Sequence, residues 1–483
     1  MPSVTIGCGP STQVFQPIHH DLPPRLFFQD TPYPRSPLNS TLTMAQKESV
    51  LIVGAGEFGA STALSLLKTG KYTVTIIDRA PVLPAIDAAS TDINKVVRWD
   101  YSDRDYAKLA RESIDLWNKD FKGIYHQSGV VVRGLHTNSF DGHNAKITYD
   151  NVKGEPGVKL LSTPSEITGK LSPRGVVPTA TVPSEERSYW NPVGGWAWAA
   201  KAVEKLYEQI IPLGGKLYSN AELASLIIEN GDVKGVRTVD GREWKADKIV
   251  VCTGSWTAAN PALRGLLPEG LITATGQTIA AVQLDEEEME KYKDIPVSFN
   301  FDGSGFYSFP PTHTGLVKFA IHGAGFTSPN GLPRTHLDPQ ACTYTEQNQV
   351  GWIPKESLHA LRKQMSLVYP ELAKKPVAYT RMCWYSDVVD GDWVIDYTKY
   401  PSLLIAAGGS GHAFKFLPVM GDLIRKRLEN TLEPHLTQKW RINRTPAAED
   451  PQRTGMARKQ LDLSQLATRK EMVLGETGVS ARL

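Results

Sequence analysis

Ser49-Val50-Leu51-Ile52-Val53-Gly54-Ala55-Gly56-Glu57-Phe58-Gly59 is an apolar run that ends in a Gly-x-Gly-x-x-Gly turn. Val50 to Val53 has the length and apolarity of a buried strand, and Ala60 to Leu67 has helical periodicity. Between them the first glycine permits the tight turn. The second lets backbone approach a pyrophosphate at the helix N-terminus, and the third allows close helix–strand packing. After Gly70, Tyr72 to Ile77 reads as a second strand ending at Asp78, an acid placed to bind the ribose hydroxyls of an adenosine. Strand, turn, helix, strand and acid in that order predict a dinucleotide site for FAD or NAD. Ala55 and Phe58 in the turn, and Arg79 after the acid, belong to the same expected site.

Working outward, 483 residues exceed one ordinary domain. Hydrophobic content of 41% with 22% charged residues is that of a soluble globular chain. A net charge of +2, with basic residues scattered, gives no field for nucleic acid or an anionic membrane. Four cysteines (Cys8, Cys252, Cys342, Cys383) lie far apart with no CxxC spacing, so neither a disulfide framework nor a metal site is expected. No apolar run reaches the roughly 18 residues that a membrane span needs. Residues 1–47 are polar and rich in Pro, Ser and Thr, which predicts a disordered extension without a secretory signal. The chain ends Ala481-Arg482-Leu483, a variant of the small-basic-leucine peroxisomal address; a cytoplasmic location is the alternative.

Two further strands favour FAD over NAD. Asp247 to Cys252 is an apolar strand ending in the small-residue turn Thr253-Gly254-Ser255, and Leu403 to Ala407 is another, ending in Gly408-Gly409. Before the first, residues 233–238 and 240–244 read as a hairpin with an Asp-Gly turn. A flavin domain is thus assembled from segments distant in sequence.

These motifs, taken in order over residues 48–430, resemble the sarcosine oxidase/amadoriase (fructosyl amino acid oxidase) group of FAD-dependent amine oxidases, and within it the fungal saccharopine and pipecolate oxidases. The resemblance implies roles. Cys383, in Arg381-Met382-Cys383-Trp384-Tyr385, matches the cysteine that bonds to the flavin 8α-methyl group; a buried structural thiol is the alternative. Gly411-His412-Ala413-Phe414-Lys415 is similar to the family's Gly-His-Gly-Phe-Lys turn at the flavin, with Ala413 replacing a glycine. Lys415 would bind the substrate carboxylate, and His412 pulls towards the sarcosine, pipecolate and saccharopine side. Tyr307, Lys318 and His322 stand at the spacing of active-site residues. Lys318 would stabilise negative charge during reaction with oxygen, and His322 and Tyr307 would shape the cavity. Lys95 takes the place of an arginine near the flavin, and Arg98 matches a carboxylate-pairing arginine. Ser90 and Thr91 would give polar contacts to the cofactor.

The expectation is an α/β protein: a Rossmann-like FAD-binding domain with a second substrate domain built on a mixed β-sheet. The first is drawn from 48–135, 196–260 and 380–430, the second from 136–195 and 261–379, and 431–483 is a C-terminal tail. The expected reaction oxidises the C–N bond of an N-substituted or cyclic secondary amino acid to an imine, with release of hydrogen peroxide, in a monomer acting on a small molecule and oxygen. Amadori compounds, or a secondary-metabolite amine, are alternative substrates. An FAD dehydrogenase with a non-oxygen acceptor, or a non-catalytic flavin-binding protein, are the readings from other classes.

Overall fold

The apolar strand Glu48–Val53 lies inside a six-stranded sheet, paired in parallel with Tyr72–Ile77 on one edge and Lys248–Val251 on the other. Lys216–Tyr218 extends the first edge. Leu403–Ala407 and then the antiparallel Val394–Tyr397 extend the second. The computed structural model describes residues 47–135, 140–335, 352–445 and 458–473. The expected N-terminal extension, Cys8, Cys342 and the terminal Ala481-Arg482-Leu483 lie outside the described residues.

Strand alternation sorts the apolar residues of this sheet onto two faces. Val50, Ile52, Val74, Ile76, Val250 and Leu404 pack under the helices Glu57–Lys68, Ala199–Ile210 and Leu417–Leu428. Leu51, Val53, Ile249, Val251 and Ile405 face the other way, onto Leu223, Val233 and Val236 of a three-stranded antiparallel sheet. A parallel strand buried on both sides needs a continuous apolar run, which is why Val50 to Val53 carries no polar residue. Ile52 and Val250 are fully buried, worth about 1.5–3 kcal/mol each. The predicted hairpin is the pair Asp232–Thr238 and Glu243–Lys245, and Gly241 takes φ 86° at its turn.

The second sheet has ten strands and is mixed. At its centre Ile272–Gln283 pairs antiparallel with Leu316–Ile321 on one edge and with Val377–Val388 on the other. Phe306–Ser308, Val297–Asn300, Val130–Arg133, Ser188–Asn191 and Lys159–Leu161 follow outward. Its outer face is covered by the helix Lys355–Ser366, whose Leu358, Leu361 and Met365 meet Phe306, Val317 and Phe319. The large sheet also takes in Val130–Arg133 and the part of Val377–Val388 from residue 380 on, which come from segments drawn into the FAD-binding domain. The second is bonded along its length to Ile272–Gln283, a continuous ladder that outweighs its nearness in sequence to Val394–Tyr397.

Alternation in this sheet is what positions chemistry. Val317 and Phe319 turn outward to the helix, so Lys318 and Ala320 turn inward. Met382 and Trp384 go to an outer cluster, leaving Cys383 and Tyr385 facing the first sheet's core. Phe306 and Tyr307 divide in the same way.

Part of the expected tail is packed. Trp440 is fully buried, Arg444 holds Asp390 at 2.7 Å, and Lys459–Gln460 pairs with Phe326–Thr327 at the edge of the large sheet. A few large residues without period anchor it, so no helical or strand pattern announces it. Among the described residues no helix is long and apolar enough to cross a membrane.

Candidate active site

Each glycine of the turn has a physical reason. Gly54 adopts φ 109°, and a Cβ there would meet the Cys252 carbonyl oxygen at 2.3 Å. At Gly59 a Cβ would stand 1.9 Å from the Gly54 carbonyl oxygen, so helix and turn pack backbone to backbone. At Gly56 it would meet Ser90 Oγ at 3.2 Å, in the space left for a ligand. Gly56 also caps the helix with no side-chain bond; the Glu57 N–H donates to Ser90 Oγ at 3.4 Å, and the N–H groups that follow it in the first turn can meet an anion. The turn opens into a cleft with about 1360 Å³ of empty space, open to solvent. Gly54, Gly56, Phe58, Asp78, Arg79 and Ser90 line it together with Lys95, Tyr385, Gly411 and Phe414. A lining drawn from the glycine turn, the acid after the second strand and the turn around Gly408, Gly409 and Gly411 suits an elongated dinucleotide.

Asp78 accepts from Ala55 N at 2.7 Å and Ala80 N at 2.8 Å, and burial raises its pKa in spite of those bonds. Ala55 therefore acts through its backbone, tying the turn to the acid. Arg79 lies 4.9 Å over the Trp256 ring and 3.7 Å from Glu222. Thr91 is not among the residues lining the cleft. Its hydroxyl donates to the Ala85 carbonyl at 2.6 Å, closing its own turn, and its carbonyl accepts from Arg381 at 3.2 Å.

Beside Lys95, which lines the cleft, three segments distant in sequence meet: residues 92–95, Lys318 and Cys383. The fully buried Lys318 donates to Asp92 Oδ2 at 2.5 Å and to the Asn94 carbonyl at 2.6 Å. Lys95 reaches the same Asp92 oxygen at 3.0 Å and lies 3.5 Å from Cys383 Sγ. Burial pushes Lys318 down to about 8, with Asp92 pulling the other way. Burial works against the Asp92 carboxylate too, but Lys318, Lys95 and Arg381 hold its pKa well below the usual range. For Lys95 burial is likewise outweighed, and Asp92 keeps its ammonium charged. Cys383 itself is fully buried opposite Gln277, and Tyr385 projects from the same face. Burial and Tyr385 raise the Tyr307 phenol far above its usual range. His322 lies with its ring 6.0 Å from Tyr385. Gly411, at φ 70°, is squeezed between those two rings: a Cβ would come within 2.4 Å of Tyr385 and 2.7 Å of His322.

Arg98, Lys415 and His412 converge on Tyr101. Lys415 Nζ donates to the Tyr101 hydroxyl at 2.8 Å and to the His412 carbonyl at 2.7 Å. His412 Nε2 donates to the Gly391 carbonyl at 2.9 Å, and its Nδ1 faces the Tyr101 hydroxyl at 3.3 Å. Arg98 stacks 4.9 Å over the Tyr101 ring and pairs with Asp100, donating to its carbonyl and standing 3.4 Å from Oδ2. Burial, then the neighbouring Arg98, pushes the Lys415 amine well below the ordinary lysine value. Arg98 at 4.9 Å and Lys415 at 5.3 Å from the same Tyr101 ring are two buried basic groups that an incoming anion would stabilise in their charged forms.

The structure thus gathers Lys95, Lys318, Tyr307, His322, Cys383 and Gly411 at one place and Arg98, Lys415 and His412 at another, with Gly59 and Thr91 serving turns. Sequence reasoning gives no role to Asp92, Asp100, Tyr101, Arg381 or Tyr385. Asp92 alone carries a signal: it is a carboxylate just before two expected site residues.

The family described as FAD dependent oxidoreductase matches residues 49–427. L-saccharopine oxidase of Schizosaccharomyces pombe is 30% identical over 426 residues, covering 81% of this chain and 92% of its own. Monomeric sarcosine oxidase of a Bacillus species (strain B-0618) is 25% identical, covering 85% of this chain and all of its own, 100%. Among solved structures, fructosamine oxidase (Amadoriase II) of Aspergillus fumigatus in complex with FSA superposes with a TM-score of 0.74 at 27% identity. That match covers 88% of this chain and 97% of the other.

Breaking the central cluster tests it. Asp92→Asn leaves two buried ammonium groups without their carboxylate and is expected to cost about 3–5 kcal/mol, read by chemical denaturation at neutral pH. A loss below about 1 kcal/mol would show that neither lysine depends on Asp92.

Proposed function

The chain belongs to the FAD dependent oxidoreductase family, and on that premise we propose that it is an amine oxidase acting on the C–N bond of N-substituted or cyclic secondary amino acids. Saccharopine, pipecolate and sarcosine represent the substrate class, and fructosyl amino acids come second. The observation that carries this is the fully buried Lys318, held on Asp92 and pointed inward beside Lys95 and Cys383.

The turn Gly54 to Gly59, with Asp78, Arg79 and Ser90, holds the dinucleotide, and Lys95, Cys383 and Gly411 border its flavin end. When bound, the flavin supplies the acceptor for two electrons from the C–N bond and passes them to oxygen. All other duties fall to side chains. Arg98 and Lys415 anchor the substrate carboxylate, Arg98 exchanging its Asp100 contact for the substrate. Tyr101 fixes the separation of those two cations, and His412 orients Tyr101. His322, Tyr307 and Tyr385 wall the cavity in which the amine must lie unprotonated. Lys318 offers a fixed ammonium to the negative charge that develops on oxygen, which leaves as hydrogen peroxide. Asp92 keeps that ammonium aimed. The six-stranded sheet acts as the cofactor domain and the inner face of the large sheet as the substrate domain, in a monomer. The terminal Ala481-Arg482-Leu483 supports a peroxisomal address, where peroxide is removed.

Two experiments test this. Oxygen uptake is measured with a panel of secondary amino acids for the native protein and for Lys318→Met. The variant is expected to react with oxygen about 10²–10³ times more slowly while its anaerobic reduction by the amine is nearly unchanged. Because the Lys318 ammonium is lost above about pH 8, oxygen reactivity of the native protein falls as pH rises through that value. Equal loss of both half-reactions in the variant would remove Lys318 from oxygen chemistry. Covalent attachment is tested by acid precipitation: the native pellet stays yellow, and Cys383→Ala releases its flavin. Flavin freed from both proteins would rule out a thioether at Cys383.

A further inference from the structure

Glu57 is the first residue of the helix Glu57–Lys68 and lines the cleft, yet it is only 8% exposed. Its Oε1 is buried and has no hydrogen-bond partner. A buried acceptor without a partner carries its full desolvation penalty, so it calls for a missing ligand. The nearby cations are engaged elsewhere. Lys95 is held by Asp92 at 3.0 Å, and Lys415 by Tyr101 and the His412 carbonyl at 2.8 and 2.7 Å. Among the described residues no ion pair involves Glu57.

An ionised carboxylate at this point would be doubly unfavourable. It would be buried without a counter-ion, and it would sit at the same helix N-terminus that an anionic pyrophosphate needs. A neutral carboxyl avoids both costs and offers an O–H donor to whatever enters the cleft. Resting on the reading that this chain holds FAD, we propose that Glu57 is a cofactor-binding residue that works as a neutral carboxylic acid, donating a hydrogen bond to the bound FAD.

The electrostatics agree. Burial pushes the Glu57 carboxyl up to about 8, with Lys415 and then Lys95 pulling it back. Lys95 faces it from the strand Lys95–Val97 and Lys415 from the turn Phe414–Phe416. Around the rest of the cleft stand Asp78, Arg79, Asp87, Glu222 and the Cys252 thiol. Below about pH 8 the carboxyl carries its proton and can donate. Above it the donor is lost and a negative charge appears beside an anionic cofactor. FAD affinity then falls with rising pH, by up to about tenfold per pH unit for one linked proton.

The test reads cofactor retention and not turnover. Full-length Cys383→Ala holoprotein, in which FAD is exchangeable, is diluted at about pH 6 to about pH 9, and released FAD is followed by its fluorescence. The same is done with Glu57→Gln and Glu57→Ala added. With Glu57 present, release is flat to about pH 8 and then rises. Glu57→Gln, which keeps a neutral donor but cannot ionise, holds FAD as well at neutral pH and loses the rise. Glu57→Ala holds FAD roughly 2- to 10-fold more weakly at neutral pH, again without the rise. An unchanged pH slope in Glu57→Gln would overturn the proposal, since another group would then be titrating. Weak binding by Glu57→Gln at every pH would overturn it too, since Glu57 would then act as an anion. FAD held equally by all three proteins overturns the role of Glu57 alone. A full-length protein that takes up no FAD at any pH sinks this and the function it rests on together.

Discussion

A single buried carboxylate, Asp92, holds together the buried pair Lys318 and Lys95 on which the proposed site depends. It is 1% exposed and takes Lys318 at 2.5 Å and Lys95 at 3.0 Å, residues carried by different sheets. Three ionised groups out of water are expensive to assemble, and a well-packed apolar cluster would be as stable or more so. What the arrangement gives instead is direction. Two ammonium groups are fixed by one anion, Lys95 lying 3.5 Å from the Cys383 sulfur, and neither can swing away without costing Asp92 a partner. That is the preorganisation a charge-stabilising site needs, because its dipoles need not reorient when negative charge appears.

The second constraint is strand periodicity. Lys318, Tyr307, Cys383 and Tyr385 face one volume because each occupies the inward parity of its strand, while Val317, Phe306, Met382 and Trp384 take the outward parity. A one-residue slip in any of these ladders would bury Lys318 among Leu358 and Met365 and turn Cys383 away. The twelve-residue strand Ile272–Gln283 holds the register against both neighbours. Fold and site are therefore set by the same ladder.

Much of this is legible in the chain. The Gly54 to Gly59 turn can be read because its chemistry is mostly local: Gly54 and Gly59 answer to backbone atoms of the neighbouring strand and of the turn itself. Asp78 is legible as the acid ending the second strand, though its bond to Ala55 is not. Tyr307, Lys318, His322 and Cys383 emerge through the order of family motifs, since nothing in a lone lysine or histidine distinguishes site from core. Asp92 escapes because its meaning lies in a residue 226 positions away. Tyr101 escapes for the same reason, its partner Lys415 lying 314 positions away, and Asp100 because nothing in the sequence marks an acid two residues after Arg98 as its partner. Thr91 has the position of a cofactor contact but closes its own turn. The boundary drawn at residue 380 cuts through the strand Val377–Val388, whose sheet is decided by a long-range ladder to Ile272–Gln283. Packing after residue 431 depends on Trp440, Leu461 and Leu466, scattered apolar residues that make no periodic pattern.

The most direct test mixes the purified yellow protein with secondary amino acids in the absence of oxygen and follows the flavin absorbance. Bleaching is expected with at least one N-substituted or cyclic amino acid that has a free carboxylate. Its ester, which offers no carboxylate to the proposed anchors Arg98 and Lys415, should bleach the flavin much more slowly. A flavin that dithionite reduces but that no amine in the class bleaches would contradict amine oxidation and leave only a flavin-binding protein.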